Sequence, residues 1–350
     1  MSKERFLLVL WLTGRCNLNC SYCYASKNPA KKDMDFSTAK QAIDRLRNHP
    51  LKIQFAGGEP LLNFSLAEQV CRYVQEEGID AQFSLQTNGT LCDDIIARKL
   101  HDLHISTGVS LDGVPKINEL TRGKTLAAVN GIRALGRQGM MVGINAVVTA
   151  KNVEHLTELV DFAFYLGNVG GIGLDLLRHA GRGAENQQKL DITPEQLRRA
   201  LFSMNQRSQE LFCLSGRKVQ IREVELAKKR ISGLGQNRHY CYASCGRSAV
   251  VLPNGKTYPC GSLISEDYCM GRVEDICPGS LLHLETKISD SCKACPYEGY
   301  CPKGCPSRKI NNIQDLDCVL LKTAFILAER EQNENEHQHD SCGFGYEQIC

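Results

Sequence analysis

Three cysteines lie within eight residues near the start of the chain. The stretch TGRCNLNCSYCYA, Thr13 to Ala25, carries Cys16, Cys20 and Cys23 with C-x3-C-x2-C spacing. A [4Fe–4S] cluster is normally held by four cysteines. Three thiolates leave one iron open, much as a catalytic zinc keeps one position open for chemistry. The spacing therefore predicts an iron–sulfur cluster with one reactive iron.

A small zinc loop is the alternative explanation of these cysteines. Structural zinc sites are closed and four-coordinate, so zinc needs a fourth Cys or His at regular spacing. The nearest histidine, His49, lies beyond a predicted helix. We therefore favour the iron–sulfur cluster.

The elements that must position this loop follow an alternating pattern up to about Leu177. Six short β-rich runs are separated by amphipathic stretches, which favours βα units and a parallel sheet. Right-handed crossovers curl such units into a partial barrel or an open doubly wound sheet. The predicted strands are Phe6–Thr13, Leu51–Ala56, Ala81–Thr87, His104–Leu111, Met140–Thr149 and Gly170–Leu177.

Polar or glycine-rich loops follow the first four predicted strands. The three-cysteine loop follows the first strand, GGEP (Gly57, Gly58, Glu59, Pro60) the second, QTNGT with Asn88 the third, and SLDG with Ser110 and Asp112 the fourth. Ligands collect at the carboxyl ends of parallel strands. These loops are therefore expected to form one active-site rim.

The remaining cysteines are concentrated in the last third of the chain. Ten of the 18 cysteines lie between Cys241 and Cys318. Many cysteines without a secretory signal favour metal binding over disulfides. We predict four parts: a barrel at 1–178, a bridge at 179–240, a small cysteine-rich auxiliary domain at 241–328, and a polar, flexible tail at 329–350 that carries Cys342 and Cys350.

The first loop, with Tyr22 before its last cysteine, resembles the motif of the radical S-adenosylmethionine (SAM) family. The resemblance implies a partial (β/α)6 TIM-like barrel, and SAM as the ligand of the open iron. The cluster then cleaves SAM to a 5′-deoxyadenosyl radical. It also implies that the GGEP turn binds the methionine amino group, and that Ser110 and Arg122 hold its carboxylate. Asp112 and Asn88 either contact SAM or stabilise their turns.

The later cysteines resemble the SPASM domain, which carries auxiliary clusters in many peptide-modifying radical enzymes. The resemblance implies two further [4Fe–4S] clusters, hence three in all. The implied ligands are Cys241, Cys245, Cys260 and Cys305 for one cluster, and Cys292, Cys295, Cys301 and Cys318 for the other. Cys269 or Cys277 can replace Cys241, or the first cluster keeps an open iron. Two alternatives remain: zinc ribbons, and iron–sulfur clusters whose only role is to stabilise a domain with little apolar core.

The resemblance implies an oxidative maturase that abstracts hydrogen from a peptide or protein, as in thioether or carbon–carbon crosslinking. A small-molecule radical SAM enzyme and a non-catalytic iron–sulfur or zinc scaffold are the alternatives. In sulfatase-maturating enzymes an aspartate acts as a general base at the position of Gly261 in this chain. Glycine cannot accept a proton, so formylglycine formation is disfavoured. Since only fifteen residues precede Cys16, we expect no leader-binding domain before the barrel. A separate leader-peptide-binding protein and a low-potential donor such as ferredoxin or flavodoxin are the expected partners.

Composition restricts the other classes of function. The chain is 42% hydrophobic and 23% charged, with a net charge of +3. Nothing in this balance requires nucleic acid or an anionic membrane. No apolar run approaches the roughly 20 residues that span a bilayer. Oxygen-sensitive clusters favour a reducing cytoplasm.

Overall fold

One mixed sheet organises the computed structural model, which describes residues 5–27, 32–233, 239–284, 290–310 and 316–341, with side chains up to 334. Within these residues the strand order is β7-β6-β5-β4-β3-β2-β1-β8-β9, and only the β8–β9 pairing is antiparallel. The strands are β1 (Phe6–Thr13), β2 (Leu51–Gly57), β3 (Ala81–Thr87), β4 (Ile105–Ser110), β5 (Val142–Val148), β6 (Val169–Leu176), β7 (Gln220–Ile221), β8 (Ser248–Val251) and β9 (Thr257–Tyr258).

Helices connect the first six strands in sequence. Because β1 to β6 are neighbours in chain order, with no reversal, the units wind in one direction as in a barrel and not as in a doubly wound sheet. The predicted partial (β/α)6 barrel is therefore confirmed. These helices are α1 (Phe36–Leu46), α2 (Phe64–Glu76), α3 (Asp94–Asp102), α4 (Pro115–Asn118), α5 (Thr125–Arg137) and α6 (Leu156–Leu166).

The barrel core lies between the strands and the surrounding helices. Alternate strand residues such as Leu8, Leu10 and Phe55 are fully buried against helix residues such as Ile43. This alternation is the period-2 pattern of a strand with one face on a core. Cys71, which the sequence assigns to a helix, lies fully buried in this core, and burial raises its pKa to about 12.

The bridge region extends the barrel. It contains α7 (Arg182–Glu185), α8 (Gln187–Leu190), α9 (Pro194–Ser215) and α10 (Arg222–Ile231). Thr193 caps α9, since its side chain accepts a hydrogen bond from the Gln196 backbone N–H at 3.2 Å, and the Gln196 side-chain Oε1 accepts one from the Thr193 backbone N–H at 2.9 Å. Strand β7 then pairs with β6 in parallel, so the bridge adds a strand to the sheet.

The cysteine-rich region is also joined to the sheet. Strand β8 pairs in parallel with β1, from Leu7 opposite Ser248 to Leu10 opposite Val251. The region therefore flanks the first barrel strand directly. It continues into α11 (Asp290–Lys293), α12 (Pro306–Ile310) and α13 (Leu316–Ser341).

The last helix is longer than the sequence predicts. The sequence predicts a polar, flexible tail from residue 329, but α13 runs on to Ser341. The predicted boundary after residue 328 therefore lies within a helix, whereas the flexibility of the tail stays a prediction. The helix packs against α9 and α10, and the Lys218 ammonium lies 2.9 Å from a Glu331 carboxylate oxygen. Cys342 and Cys350 lie outside the described residues. Among the helices that are described, none is long and apolar enough to cross a membrane.

Candidate active site and auxiliary cysteine groups

Strand β1 delivers the three-cysteine loop at a fixed exit point. Thr13, which is fully buried, accepts a hydrogen bond on Oγ1 from the Arg15 backbone N–H at 3.0 Å and donates one to Asp33 at 2.6 Å. The Arg15 guanidinium pairs with the same carboxylate at 2.6 Å. These contacts set the direction in which the chain leaves the strand immediately before Cys16.

The three thiols of this loop are neighbours. Cys16 is exposed, Cys20 and Cys23 are half-buried, and none forms a disulfide. Burial raises the pKa of Cys20 to about 11; Arg122 opposes the rise, and the charges of Cys23 and Cys16 add to it. The Cys23 N–H donates to the Cys20 carbonyl at 3.3 Å, so the loop turns tightly between these two cysteines. Three cysteines on one tight loop fit an iron–sulfur group, which cysteine thiolates hold.

The GGEP turn packs directly on the backbone of the cysteine loop. The Gly58 N–H donates to the Thr13 carbonyl at 2.8 Å, and the Glu59 N–H donates to the Arg15 carbonyl at 2.9 Å. A Cβ on Gly58 would lie 2.2 Å from the Arg15 oxygen. Gly57 has a φ of +149°, which favours glycine. The two glycines are therefore needed for close contact between the two loops.

Glu59 joins the second loop of the rim to the third. Its side chain is fully buried and accepts hydrogen bonds from Thr87 Oγ1 at 2.6 Å, the Asn88 N–H at 2.8 Å and the Leu61 N–H at 3.1 Å. Burial raises its pKa, and the hydrogen bonds from Thr87 and Asn88 oppose that rise. Pro60 opens the turn that follows. Glu59 therefore holds two loops in register.

Asn88 reaches the cysteine loop through its side chain. Its Nδ2 donates to Asn17 Oδ1 at 2.9 Å and lies 4.0 Å from Cys16 Sγ. The Lys124 ammonium donates to the Asn17 carbonyl at 3.1 Å from the opposite side. The segment between the first two cysteines is thus held by side chains from two further rim loops.

Asp112 is the centre of a buried polar network. Its carboxylate accepts hydrogen bonds from the Tyr22 hydroxyl, from Thr121 Oγ1 at 2.8 Å and from the Val147 N–H at 3.0 Å. It also pairs with Arg122 at 3.1 Å. Because both carboxylate oxygens have protein partners, the geometry favours Asp112 as a residue that stabilises the rim.

Arg122 is held at the centre of the rim and is not a solvated surface charge. Its side chain is 10% exposed, and its guanidinium carbon lies 5.3 Å from the centre of the Tyr22 ring. Its Nε is the atom that pairs with the Asp112 carboxylate at 3.1 Å. The planar guanidinium carries further N–H donors, and such a group suits a carboxylate ligand. Ser110 lies at the end of β4, where its Oγ accepts a hydrogen bond from Gln86 at 3.0 Å.

The sequence reasoning missed a polar chain across the barrel interior. Asn145 donates to Gln86 Oε1 at 2.6 Å and accepts a hydrogen bond from Arg222 Nη1 at 2.9 Å. The guanidinium enters beside Gly173, where a Cβ would lie 2.3 Å from its central carbon. Gln86 and Asn145 are polar residues at alternate strand positions, a signal that the sequence contained. Arg222 comes from the bridge, and no sequence pattern placed it here.

The first auxiliary cysteine group comprises Cys241, Cys245, Cys260 and Cys305. Burial raises the pKa of Cys241, and the charges of Cys260 and Cys305 add to the rise. Burial and Cys241 together raise the pKa of Cys245. Cys241 and Cys260 also pack against the same small apolar cluster around Ala243, so the fold brings these two cysteines together. Cys269 packs against the cluster of Trp11 and Tyr258, and Cys277 is exposed. Cys241 as the fourth ligand stays a prediction.

The second auxiliary cysteine group is formed around α11 and the start of α13. Burial raises the pKa of Cys301, and the charges of Cys295 and Cys292 contribute to it. Cys318 lies in the first turn of α13. That helix packs on the same segment, since the Tyr297 ring stacks on the Phe325 ring at 4.9 Å. The fold therefore brings the helix of Cys318 to the other three cysteines.

Tyr24 lies between the active-site loop and the first auxiliary group. Burial raises the pKa of its hydroxyl; Arg178 opposes the rise, and both Cys260 and Cys23 add to it. The bridge covers the same loop, because Arg182 donates to the Cys20 carbonyl at 2.8 Å and to the Cys23 carbonyl at 3.1 Å. The two cysteine sites thus share one side of the barrel.

Comparison with known proteins identifies the family. The sequence matches the radical SAM superfamily over residues 12–163. The chain belongs to the radical SAM superfamily. It is 36% identical over 278 residues to an uncharacterized protein of Methanocaldococcus jannaschii, covering 77% of this chain and 88% of that protein. This radical SAM enzyme is therefore expected to bind SAM and one [4Fe–4S] cluster, which supply the radical chemistry.

Relatives of assigned function fall into two chemical groups. The chain is 33% identical to the Fe-coproporphyrin III synthase of Methanosarcina barkeri over 219 residues, 60% of this chain and 53% of that protein. It is 26% identical to the serine-type anaerobic sulfatase-maturating enzyme of Klebsiella aerogenes over 320 residues, 83% of this chain and 77% of that protein. The match to the first of these spans about half of the relative's length.

Solved structures with the same fold cover nearly the whole chain. The structure of native anSMEcpe with bound AdoMet has a TM-score of 0.80 at 21% identity, covering 95% of this chain and 99% of that one. The structure of Streptococcus suis SuiB bound to precursor peptide SuiA has a TM-score of 0.65 at 17% identity, covering 88% of this chain and 73% of that one. The shared fold thus includes the cysteine-rich region as well as the barrel.

Proposed function

We propose that this enzyme cleaves SAM reductively and uses the 5′-deoxyadenosyl radical to abstract hydrogen from a peptide or protein. The modification is oxidative, such as a thioether or carbon–carbon crosslink. One observation carries the proposal. Tyr24 directly follows Cys23 of the active-site loop, and a Cβ on Gly261, which follows Cys260 of the first auxiliary group, would lie 3.8 Å from the Tyr24 hydroxyl. The two cysteine sites therefore meet at Tyr24, so a substrate that reaches one site lies near the other.

The residues of the rim divide into ligands and supports. Cys16, Cys20 and Cys23 hold the cluster that binds SAM. Arg122, through guanidinium N–H groups other than the Nε that pairs with Asp112, and Ser110 receive the SAM carboxylate, and the GGEP turn receives the amino group. Glu59 and Asp112 have their carboxylates occupied by protein donors, so they hold the loops and the Arg122 side chain in place.

Two auxiliary [4Fe–4S] clusters complete the proposed cofactor set. The first is held by Cys241, Cys245, Cys260 and Cys305, and the second by Cys292, Cys295, Cys301 and Cys318. The mutual effects among Cys241, Cys260 and Cys305, and among Cys292, Cys295 and Cys301, support this division. A low-potential donor such as ferredoxin or flavodoxin supplies the electrons. A separate leader-binding protein presents the peptide.

Formylglycine formation is not the proposed reaction. A Cβ on Gly261 would lie 3.2 Å from the Trp11 ring and 3.8 Å from the Tyr24 hydroxyl. Glycine cannot accept a proton at this position. Burial raises the pKa of the neighbouring Tyr24, so its hydroxyl stays protonated at neutral pH and does not replace a base. The likeness to structures solved with peptides supports a peptide substrate.

A tetrapyrrole is the second candidate substrate. The chain is 27% identical to the AdoMet-dependent heme synthase of Methanosarcina barkeri over 329 residues, 86% of this chain and 91% of that protein. Its identity to the Fe-coproporphyrin III synthase, 33% over 219 residues, is higher than its identity to the Klebsiella aerogenes enzyme, 26% over 320 residues, although the second match covers more of both chains. The half-exposed Arg222 inside the barrel offers a cation to a propionate or to a peptide carboxylate.

A parallel substrate assay separates the two classes. The reconstituted enzyme is incubated anaerobically with SAM and reductant, either with cysteine-containing peptides or with iron-coproporphyrin III. Each product mixture is analysed by mass spectrometry, and Cys23→Ala is the control. Loss of two hydrogens from a peptide supports the proposal. Decarboxylation of the porphyrin, with every peptide unchanged, would replace it with the tetrapyrrole reaction.

A further inference from the structure

Arginine side chains contact two of the four cysteines in the first auxiliary group. Arg247 Nε donates to Cys245 Sγ at 3.2 Å. Arg178 Nη1 lies 3.8 Å from Cys305 Sγ and donates to Ser307 Oγ at 2.8 Å. Ser307 Oγ is itself 3.1 Å from the same sulfur. Charged or polar donors therefore surround this group on two sides.

The donors around Cys305 are fixed in position by a buried network. Arg308 is 5% exposed, and its guanidinium binds both oxygens of Asp317, at 2.8 and 2.6 Å. It also contacts Asp175, at the end of β6, at 3.2 Å. Arg178 lies 3.5 Å from that same Asp175 oxygen. The network therefore connects three parts of the structure: strand β6 of the barrel, the first auxiliary cysteine group, and helix α13, which carries Cys318 of the second auxiliary group.

Guanidinium groups outnumber carboxylates among the contacts described for this group. Asp317 pairs with Arg308, Asp175 is shared by Arg308 and Arg178, and Arg178 Nη1 also lies 3.8 Å from Cys305 Sγ. At the other end of the group, Arg247 adds a second guanidinium against Cys245. Guanidinium groups stay charged at every physiological pH. The group therefore lies in a positive local field.

We propose that Arg247 and Arg178 raise the reduction potential of the first auxiliary cluster. Reduction adds one negative charge to a cluster, and hydrogen bonds to its sulfurs together with nearby positive charge stabilise that state. The inference rests on the proposed assignment of Cys241, Cys245, Cys260 and Cys305 to one cluster.

A redox titration of charge-removing variants tests the proposal. Arg247→Gln and Arg178→Gln keep an amide donor and remove the positive charge, whereas Arg247→Lys keeps the charge. Arg272→Gln is the matched control, because Arg272 is exposed in the same domain and pairs with Glu274 at 3.3 Å. All are made in a background where Cys16, Cys20 and Cys23 are alanine, so that only the auxiliary clusters contribute.

Iron content is measured first, and the reduction of each cluster is then followed anaerobically by electron paramagnetic resonance. Each Gln variant is expected to disfavour reduction of one cluster at least tenfold, a shift of about 59 mV for a one-electron couple. The reduction potential of the other cluster should not change in these variants. Arg247→Lys and Arg272→Gln should leave the potentials of both clusters close to those of the parent protein.

If both Gln variants keep their full iron content and show unchanged reduction potentials, the inference is overturned but the cluster assignment is not. A parent protein that loads no auxiliary cluster would overturn the cluster assignment, and the inference with it. The iron measurement distinguishes the two failures. If one Gln variant loses its iron, the other tests the same effect at an independent sulfur.

Discussion

Substitution of Gly58 by alanine tests how the rim is assembled. Gly58 lies where the GGEP turn crosses the cysteine loop, and its N–H donates to the Thr13 carbonyl at 2.8 Å. An added Cβ would lie 2.2 Å from the Arg15 carbonyl oxygen and 3.1 Å from the Cys16 Cβ. The first distance is far inside van der Waals contact and involves backbone atoms, so the two loops must separate.

The loss in unfolding free energy that this separation causes can be estimated from the contacts that are lost. Two backbone hydrogen bonds join the loops, at 2.8 and 2.9 Å, and each contributes about 1 kcal/mol. Overpacking of a tight contact costs a further 1–3 kcal/mol or so. The expected loss in the free energy of unfolding is therefore about 3–5 kcal/mol. Because the displaced loop carries Cys16, we also expect weaker retention of the active-site cluster.

Gly143→Ala is the matched control for this substitution. Gly143 lies in β5, and a Cβ there would meet no atom within 4 Å. Alanine at a compatible glycine position changes stability by about 1 kcal/mol or less. Both variants are compared with the wild type by urea unfolding, by iron content and by formation of 5′-deoxyadenosine under anaerobic conditions.

The reasoning fails if Gly58→Ala keeps the stability and the iron content of the wild type. That result would mean that the GGEP turn does not press on the cysteine loop. Equal damage in Gly143→Ala would also contradict the account, because the effect would then arise from any added methyl group in the barrel.

Three further substitutions test other parts of the structure. Asp112→Asn leaves the buried Arg122 charge without its partner and should cost about 3–5 kcal/mol of unfolding free energy, measured by urea unfolding. Cys241→Ala should lower the iron content by up to one cluster, whereas Cys269→Ala should not change it. Burial alone would raise the pKa of Glu331, but Lys228 and Lys218 lower it from 4.5 to about 2. Glu331→Gln should therefore remove up to about 3 kcal/mol at pH 7.

The pH dependence of the Glu331 effect has a definite sign. A carboxylate whose folded pKa is depressed stabilises the fold above its unfolded pKa, and this contribution is lost as the pH falls toward the folded value. The difference in unfolding between wild type and Glu331→Gln should thus shrink as the pH falls from about 5 toward 2. Acid loss of clusters affects both proteins alike. A difference that stays constant over this range would contradict the pairing.

Controls for the other two substitutions come from the same chain. Asp94 pairs with Arg137 at 2.8 Å on the surface, where both side chains are more than half exposed. Exposed pairs contribute little, so Asp94→Asn should cost less than about 1 kcal/mol. Equal costs for Asp112→Asn and Asp94→Asn would argue against a buried network. Equal iron loss in Cys241→Ala and Cys269→Ala would reopen the choice of ligand.

The barrel could be predicted from the sequence because its signals are local and repeated. The predicted strand Ala81–Thr87 matches β3 residue for residue, since alternating burial leaves a period-2 pattern. The joining of β8 to β1 could not be predicted, because it depends on contacts more than two hundred residues apart along the chain. The end of α13 was missed because a polar helix that packs through a few residues, such as Glu331, shows little apolar periodicity.

The candidate site was predicted unevenly for similar reasons. The cysteine spacing resembles that of known cluster-binding families, so eleven candidate ligands could be proposed from the sequence, with Cys269 or Cys277 as alternatives to Cys241. The support given by Asp112 to Tyr22 and Arg122 depends on three chain segments meeting in space. The entry of Arg222 beside Gly173 likewise has no signature in the sequence. Residues that act through shape and burial therefore had to come from the structure.

Anaerobic cleavage of SAM tests the central claim most directly. The protein is reconstituted with iron and sulfide, mixed with SAM and a strong reductant, and assayed for 5′-deoxyadenosine with and without candidate substrate. The account predicts that the wild type forms 5′-deoxyadenosine and that Cys23→Ala, which lacks one of the three loop thiolates, forms none. A fully iron-loaded wild type that forms none under either condition, or a Cys23→Ala variant as active as the wild type, would contradict the account.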